Sequence, residues 1–391
     1  MTSVDASIFR AYMHERGIDG YRSRTYNRLL MAAHTRSWRN AIKPVGTLTR
    51  RSEWVRELPK IELHLHLEGA MRPETVRELS VERLGWSGTL EPGWENSYYT
   101  YTDFSGFMAQ LTPRFPGRAD EYGRIARECI EDLAAQGVVY SEMSIDVPVR
   151  EVGDDSFFWP VFEAMESERR AAQERLPIRI NFIAGLMRTL PVEVAIYRTE
   201  LAIAARDRGI AVVGIDLHGD ERLGNTDSFA PAYRLAEANG LGLRAHAGEA
   251  VGPESMWSAI NALGARRLVH GARAAEDPAL VERLRLGDVT LEMCPTSNVR
   301  TASVPDLPSH PVRRFYDMGI PVTVNSDDPL PFFTNVEREC RLLVDEFGFS
   351  RGELMNLMLT AANAAFLPAS ERQELAELLE TSYDPRAREA V

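Results

Sequence analysis

The sequence predicts an α/β fold, a closed (β/α)8 TIM barrel with a helical N-terminal extension and further helices at the C-terminus. Three observations predict it. After residue 60, eight short runs rich in β-branched residues alternate with longer stretches whose apolar residues recur at i, i+3, i+4 and i+7. Such alternation implies right-handed βαβ units and a parallel sheet, and eight units suffice to close one. Finally, four of the eight histidines fall where the short runs end, the face on which barrels carry their chemistry.

Residues 1–57 stand apart from the rest. The stretch RSRTYNRLLMAAHTRSWRN is basic, and Leu29, Leu30, Met31, Ala33 and Trp38 recur at near-helical spacing. A helical extension packed on the main domain or on a sister subunit is expected, which would offer a route to a homo-oligomer. The main domain is expected over 58–391. It opens on IELHLHL (61–67), whose apolar and polar residues alternate with period two, so that His64 and His66 project from one face. The other strand candidates are 138–147, 178–187, 212–219, 243–249, 267–271, 290–297 and 321–328. Helical stretches between them, such as ADEYGRIARECIEDLAAQG, close on a glycine suited to a left-handed cap.

The long insertion at 72–137 contains the aromatic-rich WENSYYTYTDFSGFMAQL. Because it follows the first strand, a helical lid over the barrel mouth is expected, although Phe104 and Phe107 would equally serve an excursion that only adds core. Helices over 333–347, 350–366 and 370–381 should complete the barrel.

The bulk properties narrow the function. The 391 residues are 44% hydrophobic and 26% charged, as in a water-soluble globular protein. A net charge of -12, from 57 acids against 45 bases, disfavours nucleic acid and anionic membranes and favours a small substrate. Three widely spaced cysteines suit a reducing compartment, and the N-terminal stretch shows neither a signal-peptide pattern nor a membrane-length apolar run, so a cytoplasmic protein is expected.

The chemistry collects at strand ends. His64 and His66 end the first strand, His246 and Glu249 the fifth, His270 the sixth, and Asp327 and Asp328 the eighth. Three imidazoles and a carboxylate suit a single divalent ion, and the nitrogen-rich set of His64, His66, His246 and Asp327 favours zinc over magnesium or calcium. Such an ion would lower the pKa of a coordinated water toward about 7. Each residue has a plainer reading on its own: His246 could cap a hydrogen-bond network, and Asp-Asp before Pro329 could mark a turn. Cys294 reads as a buried structural thiol, and Asp220 and Glu221 as supporting or helix-capping groups.

The motifs PKIELHLHLEGAMRPET, GIDLHGDE, RAHAGE, LVHGAR, CPTSN and VNSDDP, in this order and spacing, resemble those of the adenosine deaminase family of zinc hydrolases. The resemblance runs from about Leu58 to about Leu367. It implies that His64, His66, His246 and Asp327 bind one zinc ion, that Glu249 protonates purine N1, and that His270 orients and helps deprotonate the water on the metal. It also implies that Asp328 hydrogen-bonds purine N7 and that the Gly219 amide meets N3.

The implied reaction is hydrolytic loss of the 6-amino group of adenosine or a related 6-aminopurine nucleoside, giving a 6-oxo purine and ammonia. Glu68 departs from the adenosine-specific pattern, which has Asp at this sugar-reaching position. It resembles members that act on free adenine or on sugar-modified nucleosides such as aminofutalosine. Ser144 stands where Arg is frequent, which should alter support around the barrel mouth, and His218 could narrow the pocket. Two readings of other classes are a barrel hydrolase of amides or esters, and a non-catalytic nucleoside-binding relative. The retained Glu249, His270 and Asp327 argue against the latter.

Overall fold

Eight parallel strands pair in sequence order: β1 (Lys60–His66), β2 (Val138–Asp146), β3 (Arg179–Met187), β4 (Val212–His218), β5 (Gly242–Ala247), β6 (Arg267–His270), β7 (Thr290–Met293) and β8 (Val322–Val324). The computed structural model describes residues 44–84, 101–111 and 115–383. Most of the expected extension, residues 1–43, lies outside the described residues, as does the aromatic run 85–100 of the insertion.

The barrel closes through side chains as much as through a ladder. The three-residue β8 is too short to pair fully with β1, and the following Asn325-Ser326-Asp327 completes the seam. His66 N–H donates to the Asp327 carbonyl at 2.8 Å, and Asp327 N–H donates to the His64 carbonyl at 3.0 Å. Asn325 Oδ1 accepts from the amides of Leu63 and His64, at 3.0 and 3.2 Å, where a strand carbonyl would otherwise stand. Ser326 Oγ donates to Glu62 at 2.8 Å. This seam sets Asp327 beside the histidines of β1.

In the insertion lie α1 (Pro73–Leu84), α2 (Phe104–Leu111) and α3 (Ala119–Ala135). The crossovers are α4 (Phe158–Gln173), α5 (Val192–Asp207), α6 (Ala230–Ala238), α7 (Pro253–Asn261) and α8 (Pro278–Leu284), with α9 (Pro295–Arg300) and α10 (Val312–Asp317) between β7 and β8. After β8 come α11 (Pro329–Phe332), α12 (Val336–Glu346), α13 (Arg351–Ala364) and α14 (Ala369–Tyr383). A 3-10 helix at Arg50–Glu57 docks on α12, where the Asp345 carboxylate accepts from Ser52 Oγ at 2.6 Å and from Thr49 N–H at 2.8 Å.

Two strands stop short of the expected bounds. The seventh ends at Met293 instead of 297, because Pro295 fits the first turn of a helix and CPTSN folds into α9. The eighth ends at Val324 instead of 328: Asp327, with a left-handed φ of 66°, meets β1 only through an isolated bridge to Leu65, and the chain turns into α11 at Pro329.

The barrel interior is polar. The buried guanidinium of Arg267 pairs with Glu142 at 2.6 Å and with Glu292. Arg244, from β5, donates to Ser144 Oγ, to the Leu63 carbonyl at 2.5 Å and to Asp216 at 3.0 Å. The small Ser144 side chain therefore faces an arginine supplied by another strand. Below this layer the Phe366 ring sits against Gly214 and Gly242, where an added Cβ would come within 2.8 and 2.2 Å of it. No helix among the described residues is long and apolar enough to cross a membrane.

Candidate metal and acid-base site

Period-two alternation along β1 turns His64 and His66 to the same side, and the pairing of neighbouring strands brings His246 of β5 across to meet them. His66 Nε2 lies 3.2 Å from His64 Nε2 and 3.1 Å from His246 Nε2. Asp327 Oδ1 is 3.2 Å from His64 Nε2 and 3.5 Å from His66 Nε2. One donor atom from each of the four residues lies within 4.8 Å of all the others.

The far side of two rings shows what this convergence is for. His246 Nδ1 faces Asp216 Oδ1 at 3.1 Å, and a carboxylate can only accept, so the ring proton sits on Nδ1 and Nε2 keeps its lone pair. His64 Nδ1 faces the Cys294 sulfur at 3.2 Å, and that thiol lies 3.6 Å from the Glu292 carbonyl as its own acceptor. Lone pairs so aimed at one another repel unless a cation lies between them. Three nitrogens and one oxygen, with a carboxylate orienting one imidazole from behind, are a donor set that would suit a divalent ion such as zinc. A second set, His270, Cys294 and Asp327, shares Asp327, but burial pushes the Cys294 thiol far above its ordinary pKa.

His270 and Asp327 both hold a φ of 66°, a conformation that costs a non-glycine residue about 1 kcal/mol or more. Both sit at the barrel mouth, where neighbouring hydrogen bonds hold them. His270 Nε2 stands 3.4 Å from Glu249 Oε2 and 4.0 Å from Asp327 Oδ2. Glu249 follows Gly248, and its loop is gathered by Glu221, whose Oε2 accepts from the amides of Glu249, Ala250 and Val251 at 2.9, 2.6 and 3.1 Å. Burial first, then the charges of Asp327 and Glu221, raise the Glu249 pKa well above the carboxylate range.

Asp328 is buried, Oδ1 finds no hydrogen-bond partner, and burial with the adjacent Asp327 charge raises its pKa well above normal. A Cβ on Gly69 would come 1.8 Å from that oxygen, so only glycine fits beneath it. Gly219 lines the same pocket with a φ of +93°. Glu68 is 2% exposed, and its Oε1 accepts from Asp146 N–H at 3.1 Å. Burial, then the Asp146 carboxylate, raises Glu68 to a pKa of about 8.

A carboxyl raised in this way weakens the fold as pH rises, because above about 4.5 the unfolded chain loses a proton that the folded chain retains. Glu68→Gln has no such proton. The stability difference between wild type and Glu68→Gln should therefore grow in favour of the variant from pH 4.5 to about 8, at up to ~1.4 kcal/mol per pH unit, and level off above. Urea melts at four pH values check this; parallel stability curves would rule out a protonated Glu68.

Two residues around the pocket, Asp146 and Asp216, were not anticipated. Asp146 anchors to Arg150 at 2.6 Å and Arg198 at 3.1 Å, and its position at the end of β2 obeys the same strand-end rule that singled out the histidines. Asp216 shares the inward face of β4 with His218, a signal available from alternation. His218, read as a residue that could narrow the pocket, is buried in the wall, its ring stacked on His66 at 5.7 Å and 8°. Arg188 clamps loops, donating to the His246 carbonyl at 2.5 Å and to Thr226 Oγ1 at 2.8 Å. Over the mouth, Phe104, Phe107 and Leu111 of α2 pack with Tyr101, Phe115 and Phe332 into a separate apolar cluster.

Residues 59–382 match the family model described as adenosine deaminase. Among curated relatives, an adenine deaminase of Agrobacterium fabrum is 34% identical over 324 residues, covering 81% of this chain and 97% of that protein. An adenosine deaminase of Shewanella denitrificans is 31% identical over 331 residues, covering 82% and 98%. Among solved structures, the adenine deaminase of Arthrobacter aurescens aligns with a TM-score of 0.74 at 27% identity, covering 83% of this chain and 98% of that one.

Proposed function

The chain belongs to the adenosine deaminase family, hydrolases acting on carbon-nitrogen bonds, and from that premise we propose that it hydrolyses the 6-amino group of free adenine. His64, His66, His246 and Asp327 would hold one divalent ion, with zinc the best match to their donor atoms. When bound, that ion supplies the Lewis acidity that makes water nucleophilic near neutral pH.

The protein's own groups do the rest. Glu249, kept protonated by its surroundings, gives its proton to ring N1, which makes C6 open to attack. Asp328, also kept neutral, has the O–H that the acceptor N7 requires, and the Gly219 amide serves N3. The proton given up by the attacking water returns to the now ionised Glu249, and the proton of the added hydroxyl passes to the amino group, which leaves as ammonia as the C6 carbonyl forms. The domain spans 58–391 in this reading, and α2 acts as part of a lid whose apolar side chains keep bulk water out.

The observation that carries the choice of adenine is the carboxyl-lined end of the pocket. Its described lining includes Glu68, Asp146, Glu249, Asp327 and Asp328, and neither lysine nor arginine. The Glu68 and Asp146 carboxyl groups can accept from the N–H that a free base presents where a nucleoside carries its sugar, and the described lining offers a phosphate no cationic partner. The relatives from Agrobacterium fabrum and Arthrobacter aurescens are both named adenine deaminases, which supports the same reading. Adenosine, the first expectation from the motifs, is the second reading, supported by the Shewanella denitrificans relative.

Ammonia release from adenine, adenosine and adenosine 5'-phosphate by the zinc-replete protein tests this. Adenine should exceed the others in kcat/KM by about 100-fold or more, since a misfit at a buried polar site is heavily discriminated. A preference for adenosine would overturn the substrate, and silence across the panel would overturn the reaction.

A further inference from the structure

We propose that His310 and Asn298 are positioning residues that hold His270 in its Nε2–H tautomer, so that Nε2 presents a hydrogen-bond donor, not a lone pair, to the reaction. The inference rests on the deaminase reading only for what that donor does. The assignment itself starts from a backbone group whose role is not in doubt.

Val312 N–H lies 3.3 Å from His310 Nδ1. A backbone N–H can only donate, so Nδ1 accepts and the neutral ring carries its proton on Nε2. His310 is 4% exposed, and burial alone pushes its pKa down to about 3, so the ring is neutral. Its Nε2 lies 3.0 Å from Asn298 Oδ1, which must therefore accept. That contact fixes the amide, and the Asn298 NH2 group is left to face His270 Nδ1 at 3.1 Å. An amide nitrogen also only donates, so His270 Nδ1 accepts and its proton lies on Nε2.

The far end agrees. Nε2 of His270 faces the ionised Asp327 at 4.0 Å, which can only accept, and stands 3.4 Å from Oε2 of the Glu249 carboxyl, which can accept as well as donate. Turning the Asn298 amide over would set its NH2 against the His310 N–H, whose place is fixed by Val312, so that a repulsive buried contact would replace a hydrogen bond. Asn298 cannot easily swing away, since it is fully buried in α9, with its N–H on the Cys294 carbonyl at 2.8 Å and its carbonyl accepting from Val304 N–H at 3.0 Å.

A donor held in this way does not have to reorganise when negative charge builds on the oxygen adding to the purine carbon. A neutral imidazole with its hydrogen on Nε2 has no lone pair there with which to take a proton. This narrows the role of His270 from base to donor. His310 touches none of the reacting atoms and acts only through Asn298.

Ring nitrogen-proton correlation spectra of the zinc-loaded, imidazole-15N-labelled full chain test the assignment, with residue 270 identified by the signals lost in His270→Gln. The wild type should show the Nε2–H pattern at residue 270. His310→Gln, whose amide nitrogen can replace the donor, should keep that pattern and stay within about 3-fold of wild-type kcat, whereas His310→Phe should lose it and drop kcat by about 10-fold or more with KM nearly unchanged. An Nδ1–H pattern at residue 270 in the wild type would overturn the proposal whether or not the His310 variants fold. So would His310→Phe with wild-type turnover and an unaltered spectrum. An Nε2–H pattern in a protein inert toward every purine would sink the deaminase reading and leave the tautomer assignment standing.

Discussion

Glu249→Gln should lose about 10²- to 10⁴-fold in kcat while binding as much metal as wild type, the range expected when a general acid is removed. Glutamine keeps the shape of the side chain and can still hydrogen-bond to a ring nitrogen, but it has no proton to give. The metal donors remain, because Glu249 is not among the four converging groups. Its backbone is held independently by Glu221, so the loop should not collapse. The pH profile supplies a second check. Glu249 must be protonated to act, and its pKa is raised by burial and by Asp327 and Glu221. Activity should therefore persist through the range where an ordinary glutamate has ionised and fall as pH climbs through the raised value. The residual rate of the variant should lack that basic limb. Turnover near the wild-type rate, with metal bound, would remove Glu249 from the acid role.

How much of this was legible in the sequence depends on the kind of signal each part leaves. Strand order and number were readable because period-two runs and helical stretches alternate cleanly, and the first six strands lie within two residues of their expected bounds. The last two overran because CPTSN and NSDDP look extended by composition, while a proline at a helix start and a left-handed aspartate decide otherwise. His64, His66, His246, His270, Glu249, Asp327 and Asp328 stood out as ionisable residues at strand ends, and the structure places them around one pocket.

Support groups leave a fainter trace. Alternation sets Asp216 on the inward face, but its task depends on which nitrogen of His246 faces it from the neighbouring strand, which spacing along the chain does not show. His310 lies outside any strand and reaches the site only through Asn298, so no spacing rule could have found it. The placement of Arg244 opposite Ser144 is likewise a matter of space across the barrel, invisible along the chain.

Asp327→Asn should abolish measurable deamination and most of the thermal stabilisation that added zinc gives the wild type. A ligand at 100 times its Kd stabilises the folded state by about 2.7 kcal/mol, which for a chain of this size is a rise of several degrees in Tm. The variant removes the charge but little else, since asparagine tolerates the left-handed backbone at this position and can still accept from Ser297 Oγ, now 2.6 Å from Oδ2. Without metal the two proteins should melt within a few degrees of each other, so that the loss is one of binding and not of folding.

Asp327 also belongs to the second cluster with His270 and Cys294, so this variant alone does not say which set holds the ion. His246→Ala and Cys294→Ser separate them. Metal content should fall in the first and persist in the second, because the buried Cys294 thiol remains protonated and supports His64 from behind. Loss of metal from Cys294→Ser with retention in His246→Ala would move the ion to the second cluster and undo the roles assigned to both histidines of β1.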